Sequence, residues 1–186
     1  MTPRTGLAYY AISVVGPDRP GIVAGVSEAL FRLGCNIADS SCAMLAGEFA
    51  MILIVSHPRP LNQTRILELL KPVCDTLSMT LSIRTLHSGE ELRKAPEGEI
   101  CQINVYGADQ PGIVYRVTSA LAAQQINILD LQTKLVGTDE QPVYVMLFEV
   151  ALPDSVTADK AESMLAGLRD ELGVEITVRI VTPVEL

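Results

Sequence analysis

Residues 16–23 read GPDRPGIV, and ninety-one residues further on, at 107–114, the chain reads GADQPGIV. Each octet places glycine, aspartate and proline before a branched apolar pair, the chemistry of a strand end, a turn and a helix start. Laying 12–39 over 103–130 without a gap matches Ile12, Val14, Gly16, Asp18, Pro20, Gly21, Ile22, Val23, Val26, Ala29, Leu30, Asn36, Ile37 and Asp39 with identical partners. The chain is therefore built from two copies of one unit. A turn-like insertion, GTDEQP at 137–142, shifts the register by four residues before FAMILIV (49–55) faces YVMLFEV (144–150).

Outward from the first octet, YYAISVV (9–15) has the aromatic and β-branched composition of a buried strand. Behind it, Ile22, Val23, Val26, Ala29, Leu30 and Leu33 recur at helical spacing, and Gly34 stands where a helix ends. Asn36–Leu45 and Glu48–Ser56 read as two strands joined by a tight turn at Ala46-Gly47, with Pro58 and Pro60 after them. Ile66, Leu67, Leu69, Leu70 and Val73 give a second amphipathic helix, and Met79, Leu81 and Ile83 alternate as a last strand.

The second copy repeats the order: a strand over 100–106, a helix over 110–124, a hairpin over 127–151, a helix over 158–172 and a strand over 175–181. Each copy is βαββαβ, so the fold class is α+β, two ferredoxin-like units in tandem. Right-handed crossovers place both helices of a copy on one face of a four-stranded, mostly antiparallel sheet. The boundaries are 1–87 and 100–186, with the polar stretch SGEELRKAPEGE at 88–99 as linker.

Composition narrows the function. With a net charge of −8 and no cluster of Lys and Arg, direct binding of nucleic acid is not expected, because phosphate neutralisation needs a concentrated cationic surface. The longest apolar run, 49–55, is far short of the roughly 20 residues that span a bilayer. No signal-type h-region opens the chain, and a cytoplasmic protein is expected. Cys35, Cys42, Cys74 and Cys101 lack C-x-x-C spacing and read as buried or partly buried free thiols. His57 and His87 form no zinc pattern with their neighbours. No metal or cofactor is expected.

The repeated turn has two readings. In one it only starts a helix: Gly16 turns the chain, Asp18 caps free amides, Pro20 presets φ in the first turn and Gly21 packs closely. In the other, the same unpaired amides and the positive end of the helix dipole hold an anion such as an amino acid carboxylate. Asp18 and Asn36 are then available to an ammonium group. The β1–α1 turn and the start of the second strand lie at opposite ends of the first helix, so one copy's turn meets an Asn36-type region only across an interface. With neither G-x-G-x-x-G nor G-K-[ST] present, nucleotide binding is not expected.

The turn G-x-D-x-P-G-I-V, the helix ending G-C-N-I-x-D at 34–39 and the βαββαβ plan resemble the ACT domain, a small-ligand sensor, over nearly the whole chain, twice. Residues 33–56, LGCNIADSSCAMLAGEFAMILIVS, are similar to the glycine cleavage system transcriptional repressor group, tandem ACT chains without a catalytic domain. The resemblance implies a regulator that responds to an amino acid such as glycine and acts through a protein partner, a DNA-binding activator. It implies a ligand site at Asp18, Pro20, Gly21, Ile22, Val23, Asn36 and Ile37, with Asp109, Pro111, Gly112, Ile113, Val114, Asn127 and Ile128 in the second copy. Asp39 and Asp130 either join that site or orient the hairpin.

Arg19 becomes Gln110 and Ala24 becomes Tyr115, so the two sites need not share a ligand. ACT domains commonly pair side by side, and an exposed second-strand edge favours a homodimer. Two alternatives stand beside this reading. One is an acylphosphatase-like enzyme holding phosphate with Arg19 and Asn36. The other is an interaction module that keeps only the pairing.

Overall fold

The computed structural model describes residues 6–86, 98–138 and 141–181. The proposed linker 88–99 falls outside these residues except for Gly98 and Glu99, and His87 also lies outside them. The chain divides into two compact units between Ala95 and Pro96. The first contains β1 (Ala8–Pro17), α1 (Ile22–Arg32), β2 (Asn36–Leu45), β3 (Glu48–His57), α2 (Gln63–Thr76) and β4 (Thr80–Leu86). The second contains β5 (Glu99–Gly107), α3 (Ile113–Ala123), β6 (Asn127–Thr138), β7 (Gln141–Leu152), α4 (Ala158–Leu172) and β8 (Val174–Ile180).

Each unit is βαββαβ, and the sheets run β2-β3-β1-β4 and β6-β7-β5-β8. Every pairing is antiparallel. Alternation along the central strands sends Tyr10, Ile12 and Val14 of β1 and Met51, Leu53 and Val55 of β3 into one core. There they meet Ile22, Val26 and Leu30 of α1 and Ile66, Leu70 and Cys74 of α2. The second core repeats this with Ile103, Val105, Met146, Phe148, Val117, Leu121, Ala161 and Leu165. Both helices of a unit therefore cover the same sheet face, as the two apolar stripes require.

In the first unit Tyr10 also anchors the loop before α2. Its hydroxyl donates to the Leu61 carbonyl at 3.0 Å and accepts from the Leu61 amide at 2.6 Å.

Several expectations are refined. The insertion around Gly137 lengthens the hairpin instead of forming a separate turn. Gly137 pairs with Pro142 and Thr138 with Gln141, so β6 and β7 have 12 residues where β2 and β3 have 10. Helix α3 begins at Ile113, three residues later than the pattern suggested, because Gly112 takes a left-handed conformation at the N-cap. After α1 the chain turns through Gly34 at φ 74°, and in the second copy Gln125 takes that conformation at φ 56°.

Of the four cysteines, all free, Cys42 is exposed and is not partly buried as expected. It lies on edge strand β2, where every residue but Ala38 is exposed. Burial raises the thiol pKa of Cys35, Cys74 and Cys101, which keeps them protonated and unreactive.

Candidate functional site

The repeated turn is built the same way twice, but its residues take other parts than the sequence suggested. Gly21 (φ 98°, ψ −7°) and Gly112 (φ 96°, ψ −8°) are the N-caps of α1 and α3. These angles are those of the glycine after proline in a type II turn, so Pro20 and Pro111 preset the turn ahead of the helix, not its first turn. A Cβ on Gly21 or Gly112 would meet nothing within 4 Å, so neither packs closely and the space before each helix is open.

The close approach belongs to the first glycine of each octet. Gly16 lies in β1, where a Cβ would come 2.8 Å from the Ser78 carbonyl oxygen and 3.1 Å from the Met79 Cα. A Cβ on Gly107 would come 2.6 Å from the Val174 Cγ1. Gly16 is thus needed for packing against the α2–β4 junction and not for a turn.

Neither helix start is capped by a side chain, and neither has an acidic residue in its first turn. Asp18 does not cap; its backbone N–H donates to the Gly47 carbonyl at 2.8 Å, tying the turn to the β2–β3 hairpin tip. The other two helices differ. Asn62 caps α2 by accepting from the Thr64 amide at 2.9 Å. Thr157 caps α4 by accepting from the Lys160 amide at 3.3 Å, with Asp159 in its first turn. No side chain therefore occupies the leading amides of α1 or α3, where the positive end of the helix dipole favours an anion.

Asn36 and Ile37 lie elsewhere. Asn36 pairs with Ser56 at one end of β3, whereas Pro17 and Leu45 both pair with Glu48 at the other. Eight steps along the strand separate the turn from Asn36 by roughly 25 Å. Asn127, opposite Ala151, is separated from its turn in a similar way, since Gly107 lies opposite Tyr144. Within a unit the two halves of the expected site do not meet. The same distance separates Arg19 from Asn36, so they cannot hold one phosphate within a unit.

A β-bulge follows Ile37 and recurs after Ile128, with Ala38 and Leu129 as the extra residues. Its effect is to bring Asn36 and Asp39, opposite Ser56 and Ile54, onto the same helix-free face of the sheet. Without it, residues three apart on a strand would face opposite ways. Asp39 Oδ1 accepts from the Ser40 amide at 2.8 Å, and Asp130 Oδ2 accepts from Gln132 Nε2 at 3.2 Å. The bulge has no signal in composition or periodicity.

At the second turn a hollow of about 480 Å³ is lined by Asp109, Gln110, Pro111, Gly112, Ile113, Val114, Tyr115 and Tyr144. Five of these are residues the sequence placed in the site; Asn127 and Ile128 are not among them. Tyr144 was missed because it reaches the turn only through its cross-strand pairing with Gly107. Gln110 Nε2 donates to the Leu172 carbonyl, and Arg116 forms an ion pair with Glu171, so the turn and α3 are fastened to the end of α4. Among the described residues no group of three or more His, Cys, Asp or Glu could hold a metal ion, and no helix is long and apolar enough to cross a membrane.

The glycine cleavage system transcriptional repressor of Escherichia coli (strain K12) is 26% identical to the chain over 175 residues, covering 93% of this chain and 90% of that protein. The crystal structure of an unknown protein from Galdieria sulphuraria matches with a TM-score of 0.77 at 29% identity, over 95% of this chain and 99% of that one. The family profile of the ACT domain matches residues 9–84 and again 99–179. With both units matched, the chain belongs to the ACT domain family, as a tandem pair.

Proposed function

We propose that the chain is a non-catalytic cytoplasmic regulator that senses an amino acid, glycine or one like it, and passes the signal to a protein partner, a transcriptional activator of glycine cleavage. The observation that carries this reading is the pair of uncapped helix starts, α1 and α3, beside two capped ones, α2 and α4. A carboxylate on the open side of Gly21 would accept from the first amides of α1, and Asp18 is the nearest acidic side chain in sequence for its ammonium group. In the second unit Asp109, Pro111, Gly112, Ile113 and Val114 do the same. In this proposal Asn36, Ile37, Asn127 and Ile128 complete a site when a second chain supplies them. The net charge of −8 supports action through a protein and not on DNA, and the likeness to the Escherichia coli protein, a glycine cleavage system transcriptional repressor, supports a regulatory role.

A thermal-shift screen of the common amino acids tests this. A ligand at about 100 times its dissociation constant stabilises the native state by about 2.7 kcal/mol. Asp18 is an exposed residue whose side chain makes no cap, so Asp18→Ala alone is expected to change stability by less than about 0.5 kcal/mol. It should nonetheless abolish the ligand-dependent shift at the first turn, and Asp109→Ala should do so at the second. Stabilisation by no amino acid would leave the interaction module as the better reading.

The chain acts as a homodimer in this proposal. Ile37, Met44 and Leu45 are exposed on edge strand β2, whose outer backbone groups have no neighbouring strand among the described residues. Light scattering is expected to give twice the mass of the 20.1 kDa chain, and a monomer at micromolar concentration would exclude it.

A further inference from the structure

The two turns share a backbone but not their surroundings. At the second, Pro111, Ile113, Val114, Tyr115 and Tyr144 line the shallow, open hollow of about 480 Å³, and Asp109 stands at it as the acidic group. Tyr115 occupies the position of Ala24 in the first copy. Tyr144, opposite Gly107, occupies that of Phe49, opposite Gly16. The walls are held in place: Gln110 is bonded to the Leu172 carbonyl, Arg116 is paired with Glu171, and Gly107 sits against Val174. Tyr115 nevertheless remains 70% exposed, a large ring with little protein covering it.

Sites for small ligands commonly enclose about 300–1,000 Å³ and are lined mainly by apolar and aromatic groups with a few polar ones to orient the ligand; this hollow is open to solvent but has a lining of the same kind. Glycine has no side chain to set against such walls. We infer that the second turn takes a free α-amino acid with a large apolar side chain, aromatic or branched, in preference to glycine, and that Tyr115 and Tyr144 set this selectivity. The inference rests on the reading of the turn as a carboxylate site. The carboxylate accepts from the first amides of α3, the ammonium group faces Asp109 and the tyrosine rings, and the side chain lies along Pro111, Val114 and Tyr115. Two turns of different selectivity in one chain would let it compare two amino acids.

The test is an amide-resolved NMR titration of the full chain with phenylalanine, leucine and glycine in turn, repeated with Tyr115→Ala and Tyr144→Phe, each of which installs the first copy's residue. Phenylalanine and leucine are expected to move the signals of Gly112 to Val114, and glycine to leave them in place. Tyr115→Ala should weaken phenylalanine binding about tenfold, the loss of one aromatic contact. Its exposure means the fold should survive the change. Tyr144→Phe keeps the ring and should weaken binding less. Glycine moving Gly112 as strongly as phenylalanine, or Tyr115→Ala leaving phenylalanine affinity unchanged, overturns the inference while the carboxylate reading stands. If no amino acid moves the amides of Gly21 or Gly112, the carboxylate reading fails, and the selectivity with it.

Discussion

Gly16→Ala is expected to destabilise the first unit by about 2–3 kcal/mol in urea unfolding, although alanine suits a strand better than glycine. The added Cβ would lie 2.8 Å from the Ser78 carbonyl oxygen, 3.0 Å from the Met79 sulfur and 3.1 Å from the Met79 Cα. Two of these are main-chain atoms, and Ser78 is itself held at φ 59° in the connection from α2 to β4. Relief therefore requires β4 to move away from β1, against the pairings of Val15 with Thr80 and Val14 with Leu81. Gly21→Ala makes the contrast. It meets open space but is strained at φ 98°, for which about 1–2 kcal/mol is expected. If Gly16→Ala unfolded at the wild-type midpoint, the close approach of the two strand ends would not be a constraint on this fold.

Phe148→Ala is expected to remove about 3–5 kcal/mol from the second unit, the range for emptying a buried aromatic site. Phe148 is 1% exposed and lies opposite Ile103 on one side and Leu131 on the other, at the middle of the core. Tyr144 and Met146 share its face of β7 and its cluster, so the cavity would also loosen the strand that carries a wall of the second turn. The amino-acid binding proposed for that turn should weaken while the response proposed for the first persists. Ile52→Ala, on the helix-free face of β3 at 55% exposure, is the control and should cost well under about 1 kcal/mol. A Phe148→Ala cost as small as that of the control would mean that Phe148 is not central to the core.

Much of this molecule was legible in the chain. β2 ran over Asn36–Leu45 as read, and the left-handed pair Ala46 and Gly47, at φ 51° and 85°, formed the predicted two-residue turn. Helix α4 spanned Ala158–Leu172 as read. These features depend on short windows: apolar period, turn residues and helix ends. The repeat added what no window holds, since two copies of one pattern fixed the unit size and brought the ACT resemblance that the family match supports.

The candidate site was legible only in part. The residues of the turn were named, but their physical roles were exchanged. Either glycine of GPDRPGIV can turn a chain or admit a close neighbour, and local sequence does not say which segment will come near. That neighbour is Ser78-Met79, about sixty residues away, and only the β1–β4 pairing brings it there. Asp18 has the chemistry of a cap, yet Gly21 takes the N-cap position because the left-handed glycine starts the helix three residues further on.

Hydrophobic period and turn chemistry act over a few residues, and they fix the two βαββαβ units, their order of elements and the repeated helix start. Tertiary structure alone decided that Gly16 packs while Gly21 turns, that a bulge puts Asn36 and Asp39 on one face, and that Tyr144 walls the second turn. Each of these depends on register between segments far apart in the chain, where a shift of one residue would send every side chain to the other face.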